Sequence, residues 1–256
     1  MKIMAIVNLT NDSFFSRSHT LREDGSFDEA RFLGKVGKAL SEGADIIDLG
    51  PCSSRPGSTP VGPEEEWRRL EPALRLLRQE YPETPLSIDT YWPDVIRKAY
   101  DLAGPFMVND ITGGSPELLT LVARLNLPYI AMDSSADPIG FFDRFTEKAK
   151  KFKVADWILD PGFGFGKTVE DNWRVLRDLQ AFQHFGRPVL AGLSRKTMLW
   201  KPLGISPEEA LPATQIVNFI ALDGGAEILR VHDVAETVHT VKLHRLLRAG
   251  AGTAAV

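Results

Sequence analysis

Cysteine is nearly missing from this chain of 256 residues: Cys52 stands alone. No intrachain disulfide or cysteine zinc cluster can form, and nothing points to an oxidising compartment. Histidine is scarce too. Of the five, His19, His184, His239 and His244 fall in a loop or on helical segments and only His232 ends an apolar run, which leaves no spacing for a closed zinc site. Long hydrophobic runs are lacking. The opening MKIMAIVNLTND carries one lysine and an apolar stretch from Ile3 to Val7 only, too short for a signal-peptide core or a membrane span. Surplus positive charge is lacking as well: 30 basic against 34 acidic residues give a net charge of −4, without the cationic pool that counterion-releasing contacts to nucleic acid need. These absences together read as a cytoplasmic soluble protein with neither nucleic acid nor membrane as partner.

What is present is ordinary globular material, 43% hydrophobic and 25% charged, arranged as one repeated pattern. A short apolar run is followed by an amphipathic segment, eight times over. The runs cover 3–7, 44–49, 85–89, 106–110, 129–132, 157–160, 189–193 and 227–231. Between them, Leu33, Val36, Gly37 and Leu40, then Trp67, Leu70, Leu74 and Leu77, then Ile216, Val217 and Ile220 recur at helical spacing. Helix starts are signalled by Ser115-Pro116-Glu117 and Ser206-Pro207-Glu208-Glu209, and by the pairs Thr168/Asp171 and Asp233/Glu236. Gly43, Gly104 and Gly224-Gly225 mark helix ends. Strands apolar on both faces and joined by helices are parallel. The 256 residues shared among eight units leave about 32 each, a normal βα repeat. The expected fold is therefore α/β, a (β/α)8 TIM barrel occupying 1–256 as a single domain, with an open doubly wound sheet as the competing topology.

A barrel of this kind carries its active site where the strands end, and there the chain is polar throughout. The first strand runs into Asn8-Leu9-Thr10-Asn11-Asp12-Ser13-Phe14. The second holds Asp48 and leads to Ser53-Ser54-Arg55-Pro56-Gly57. Asp89-Thr90, Asn109-Asp110, Met132-Asp133, Asp160, Ser194-Arg195-Lys196 and Arg230-Val231-His232-Asp233 follow in turn. The segment GFGFGKT imitates a nucleotide loop without being one: Pro161 stands where a P-loop needs its first glycine, and Lys167 where the dinucleotide pattern needs its third. What remains is a tight glycine turn expected to place Asp160, Phe165 and Lys167 beside a ligand. Ser54, Arg55, Arg230 and His232 form an anion-friendly quarter near the last helix, which suggests a phosphorylated substrate. Any metal would be a hard cation such as Mg2+, bound by oxygens.

Several segments, read in order, resemble dihydropteroate synthase, a folate-pathway transferase family targeted by sulfonamides. VNLTNDSF (7–14), GADIIDLG with SSRPG (43–57), SIDT (87–90), VNDI (108–111), LDPGFGFGK (159–167), LSRK (193–196) and RVHDV (230–234) match the family's motifs in family order. The resemblance implies a (β/α)8 barrel that condenses 6-hydroxymethyl-7,8-dihydropterin diphosphate with 4-aminobenzoate, giving 7,8-dihydropteroate and diphosphate. It implies pterin contacts from Asp89, Asn109, Met132, Asp160, Phe165, Lys196 and Arg230, with Asp89, Asp160, Lys196, Arg230 and His232 as the catalytic set. The diphosphate falls to Asn8, Ser54, Arg55, Arg230 and His232, with Mg2+ on its oxygens and Asn8 as the ion's protein ligand. The aminobenzoate pocket falls to Phe14, Ser54, Pro56 and Lys196, and a homodimer is the implied assembly.

The sequence also departs from the family. Asn11 replaces a proline, Cys52 stands where Glu or Gln is frequent, and Ser54 where Thr is usual. Strand 5 ends Met132-Asp133-Ser134 in place of Met-His-Met, before a segment shorter than the family's. Asp133 is expected to turn away from the ligand, onto a cation or the fifth helix. Two alternatives stay open at this level. One is a pterin-binding methyltransferase domain, which would have no use for the Arg55 and His232 cluster. The other is a catalytically silent pterin-binding barrel.

Overall fold

The computed structural model describes residues 1–10, 26–52 and 61–249. Strands and helices alternate through them. They run β1 (Lys2–Asn8), α1 (Glu29–Glu42), β2 (Ile46–Gly50), α2 (Pro63–Glu80), β3 (Leu86–Asp89), α3 (Pro93–Ala103), β4 (Met107–Asp110), α4 (Pro116–Leu125), β5 (Tyr129–Met132) and α5 (Pro138–Phe152). Then come β6 (Trp157–Asp160), α6 (Val169–Arg177), β7 (Leu190–Ala191), α7 (Thr197–Leu203), α8 (Leu211–Asp223), β8 (Ile228–Val231) and α9 (Val234–Arg248). Each apolar run of the sequence is a strand, and the strand pairs are parallel. Their order is β6-β5-β4-β3-β2-β1-β8-β7, and a parallel bridge between Leu159 and Val189 joins the two ends. That bridge closes the ring and rules out the open doubly wound sheet. The fold is the (β/α)8 barrel.

Side chains alternate along a strand with a period of two, and this sorts the barrel into layers. Met4, Ile46, Ile130, Ile158, Leu190 and Ile228, with Met107 against them, fill the floor of the barrel interior. Residues of the opposite parity, among them Val7, Ile47, Leu49, Ile88, Val108, Leu159 and Leu229, pack outward into the larger core shared with the helices. Two positions above the floor residues stand Asp48, Asn109, Met132, Asp160 and Arg230. The same alternation that buries the floor thus delivers a polar layer to the C-terminal rim.

The local signals hold in most places. Ser115 Oγ accepts from the Leu118 N–H at 3.1 Å, and Thr168 and Asp171 form a reciprocal capping box. Gly43 ends α1 in the left-handed region at φ 106°. Leu70, Leu74 and Leu77 are buried as their spacing predicts. Elsewhere tertiary context overrides the signal. The buried stripe of α1 is Phe32, Val36 and Ala39, with Leu33 and Leu40 at its margin. Of the three spaced residues on α8, Val217 is buried, while Ile216 and Ile220 are 63% and 42% exposed. The Ser206-Pro207 start makes a single 3-10 turn, Glu208–Ala210, before α8 begins. Of Gly224-Gly225, the left-handed residue is Gly225. Asp233 precedes α9 without capping it, because Arg195 takes its carboxylate. The fifth unit carries a full helix of 15 residues, capped by Asp137. Among the described residues, no helix is long and apolar enough to cross a membrane.

Candidate active site

The centre of the rim is a guanidinium shared by two carboxylates. Arg230 reaches from β8 across β1 to Asp48 on β2, with Nε 2.7 Å from Oδ2, and its Nη2 lies 3.0 Å from Asp89 Oδ2 on β3. Asn109 on β4 turns its amide nitrogen to the Asp48 oxygens at 3.4 and 3.5 Å. Burial pushes the Asp89 carboxyl up to about 7, against the pull of Arg230. Burial also disfavours the Arg230 cation, but Asp48 and Asp89 outweigh it and hold the guanidinium above its usual range. A buried cation with two acid partners is fixed in orientation. Asp48 was not among the residues assigned a role from sequence. Strand parity finds it, two positions beyond the floor residue Ile46.

The opposite wall is the glycine loop after β6. Asp160 accepts from the Gly162 N–H at 2.8 Å, and burial raises its carboxyl while Lys196 opposes the rise. Lys196 donates to the Phe163 carbonyl, and its ammonium stands 4.8 Å from the centre of the Phe165 ring. Burial lowers its pKa to about 8, against Asp160. A Cβ at Gly164 would press on Lys196 Cδ at 3.0 Å, and Gly162, at φ 66°, has no room for one beside the Asp133 carbonyl. Met132 on β5, in register with Asp160, is almost fully buried.

Lys167 does not stand beside a ligand. Its side chain is shut off from solvent in an ion pair with Asp133, where Nζ meets the Asp133 carboxylate at 3.3 Å and carbonyl at 3.0 Å. Gly166 and Gly162 bring the loop backbone hard against the β5 turn, which puts the Asp133 carboxylate and carbonyl within reach of Lys167. Asp133 has accordingly turned away from the rim. Its other oxygen accepts from the Ser135 N–H at 2.9 Å, and the helix is capped by Asp137 in its place.

His232 sits beside this pocket with Nδ1 3.0 Å from Ser194 Oγ. Burial, and then Arg230, lowers its pKa to about 4, which favours the neutral ring at neutral pH. Arg195, which the sequence puts among the polar strand ends, is structural. It holds Asp233 by two bonds of 2.9 Å and donates to the Pro207 and Glu208 carbonyls, in a left-handed conformation at φ 54°. One acid escaped notice in the sequence: Glu66, in the first turns of α2, is 1% exposed and accepts from Thr90 Oγ1 at 2.7 Å. Its placement resembles an ordinary acidic helix start, and no local signal distinguishes it.

Asn8 ends β1 opposite Gly50, where a Cβ would come within 3.0 Å of Asn8 Oδ1. Among the described residues no cluster of three His, Cys, Asp or Glu stands ready for a metal. The Asn8 side chain presents a carboxamide oxygen, a hard donor of the kind that fits Mg2+. Phe14, Ser54, Arg55 and Pro56 lie outside the described residues.

Comparison with known proteins agrees with this geometry. The family described as "Pterin binding enzyme" matches residues 4–232. The dihydropteroate synthase of Escherichia coli (strain K12) is 35% identical over 260 residues, covering 94% of this chain and 89% of the relative. The dihydropteroate synthase from Clostridium difficile, solved in the presence of pteroic acid, superposes with a TM-score of 0.87 at 34% identity, covering 96% of each chain. That of Xanthomonas albilineans with 4-aminobenzoic acid gives 0.87 at 34% identity, covering 97% of this chain and 93% of the other. A barrel with this rim, this order of motifs and these relatives belongs to the pterin-binding enzyme family, among the dihydropteroate synthases.

Proposed function

We propose that this chain transfers the pterin methylene of 6-hydroxymethyl-7,8-dihydropterin diphosphate to the amino group of 4-aminobenzoate, forming 7,8-dihydropteroate and diphosphate in folate biosynthesis. The observation that carries the assignment of roles is the convergence of Asp89, Asn109, Asp160, Lys196 and Arg230 on one side of the rim. A pterin has a flat ring with a donor-rich amino-pyrimidinone edge and acceptor nitrogens. Asp160, Asp89 and the Asn109 amide suit the edge, Lys196 suits the acceptors, and the face of Arg230 with Met132 and Phe165 suits the ring. Charged hydrogen bonds of this kind contribute about 1.5–3 kcal/mol each.

In the reaction the C–O bond to the diphosphate breaks with its electron pair leaving on oxygen. The aminobenzoate nitrogen gives its lone pair to the methylene and then loses a proton, which the released diphosphate takes up. No nucleophilic side chain is needed. What the protein must do is hold negative charge on the departing oxygens and keep water away from an electron-poor carbon. His232 as a neutral donor, Arg230, Ser54 and Arg55 take the first part. The segments at 9–20 and 51–62, with Phe14, Ser54 and Pro56, form the aminobenzoate side with Lys196 and take the second. Asn8 would hold the Mg2+ borne by the diphosphate, which when bound neutralises charge on the leaving group.

The same reading includes a cytoplasmic location and a homodimer. Ile216 and Ile220 on α8 and Leu243, Leu246 and Leu247 on α9 are 42–68% exposed, an apolar face that a second copy would cover. Sedimentation of the parent and of Leu246→Glu tests the dimer; a monomeric parent refutes it. A coupled assay for diphosphate release tests the activity. Release is expected only when both the pterin diphosphate and 4-aminobenzoate are present; release without the amine, or none at all, would overturn the proposal.

A further inference from the structure

The glycine loop after β6 is held from two sides by two ammonium groups. On the pocket side Lys196 donates to the Phe163 carbonyl and faces the Phe165 ring. Behind the loop Lys167 points its Nζ at the Gly162 and Phe165 carbonyls, at 3.4 and 3.5 Å. It also meets the Asp133 carboxylate and carbonyl, on the turn after β5. The Asp133 N–H in turn donates to the Asp160 carbonyl at 3.0 Å. The pair is fully enclosed, and neither residue has a part in the binding and catalysis described above. A buried ion pair is a poor source of stability, since desolvation offsets its attraction, and its best-attested use is to select one arrangement over others.

We infer that Asp133 and Lys167 are positioning residues for the ring pocket: their ion pair latches the glycine loop to the β5 turn, so that the Phe163 carbonyl and the Phe165 ring stand where they aim Lys196 at the pterin. The inference rests on the proposed role of Lys196 in meeting the pterin ring. Its reach is limited to one wall of the pocket. Arg230 and His232, on and just after β8, lie outside the latch.

The latch also bears on the charge of Lys196. The groups facing that ammonium are Asp160 on β6, Arg230 and His232 on β8, Asp89 on β3 and Lys167 in the loop itself. Burial is the main influence lowering its pKa to about 8, and Lys167 adds to the lowering. Removing Lys167 takes away one repelling charge and lets water reach Lys196 through the loosened loop. Both effects raise its pKa, so the alkaline fall in pterin binding moves to higher pH.

The test uses Lys167→Met and the charge-neutral double variant Lys167→Met/Asp133→Asn in the full chain, with calorimetry against the unphosphorylated 6-hydroxymethyl-7,8-dihydropterin across pH. We expect pterin binding to weaken about tenfold in both, one charged hydrogen-bond partner's worth. We also expect the alkaline limb to rise above about 8. If Lys167→Met does not fold, the double variant decides alone. Parental affinity and limb in a folded double variant overturn the inference. A tenfold loss with the limb unmoved also overturns it, because the pair then supports the fold without aiming Lys196. Lys196→Ala is the control: if it binds pterin like the parent, the role of Lys196 fails and the inference falls with it. If Lys196→Ala loses binding while the latch variants keep it, the inference alone fails.

Discussion

Arg230 and Asp48 lie 182 residues apart in sequence and 2.7 Å apart at the barrel rim. The pair is the hinge of the site's charge balance, because Asp89 shares the same guanidinium and feels Asp48 as a neighbouring negative charge. Replacing Asp48→Asn breaks a buried pair, at a cost of about 3 kcal/mol, the low end of the range, since Asp89 still compensates Arg230. It also removes one of the charges that raise the Asp89 carboxyl. The acid limb of pterin binding should therefore move below about 7 while thermal stability drops, and calorimetry with thermal melts reads both. An acid limb that stays in place would show that Asp48 does not govern Asp89.

Pterin binding should be bell-shaped in pH and narrow. Asp89 must be ionised to accept from the pterin edge, and its carboxyl titrates near about 7; Lys196 must be protonated to donate, and it titrates near about 8. Binding therefore rises with pH through the first and falls through the second. His232→Ala should leave the bell of the unphosphorylated pterin intact and weaken only the diphosphate ester, by a loss of about 1 kcal/mol or more for a neutral donor. Equal losses for both ligands would mean that His232 belongs to the ring pocket.

The Arg195–Asp233 fork predicts a coupled pair. Arg195 presents two parallel bonds to Asp233 and two more to backbone carbonyls, and a lysine cannot reproduce that geometry. Arg195→Lys and Asp233→Asn should each destabilise by about 3 kcal/mol. The double variant should cost far less than their sum. Both should also lower kcat/KM, because Arg195 directly precedes Lys196. Additive losses in a double-mutant cycle would refute the coupling.

Glu66 makes a prediction about stability alone. Its carboxyl, ordinarily near 4.5, is raised by burial to about 7, so between those values the folded state keeps a proton that the unfolded chain releases. Stability from this group is full below about 4.5 and is lost as pH rises through about 7. A shift of that size corresponds to about 3 kcal/mol. Glu66→Gln should stabilise the protein by up to that amount at pH 8 and hardly at all near pH 4.5, as denaturant melts at the two values would reveal. Equal effects at both pH values would show that Glu66 is not titrating in this range.

The local content of the fold was open to reading from sequence, because it depends on spacing. Strands of four or five apolar residues, helix starts such as Ser115 and Thr168, and the left-handed end at Gly43 are set by neighbours a few positions away. Parity along a strand even predicts that Asp160, two positions above Ile158, must face the barrel interior. Resemblance then supplied the chemistry for the polar layer. Which charge meets which was not open to that reading. Asp233 has the spacing of a capping box yet serves Arg195, Lys167 looks like a ligand contact yet turns to Asp133, and Glu66 looks like a helix-start acid yet is buried under Thr90. These outcomes depend on closure of the barrel, which brings β8 within reach of β2 and β3 and presses the glycine loop against the β5 turn. Burial then makes every unpaired charge costly, so the partners are chosen by what the closed barrel leaves within reach, and sequence distance carries no information about that.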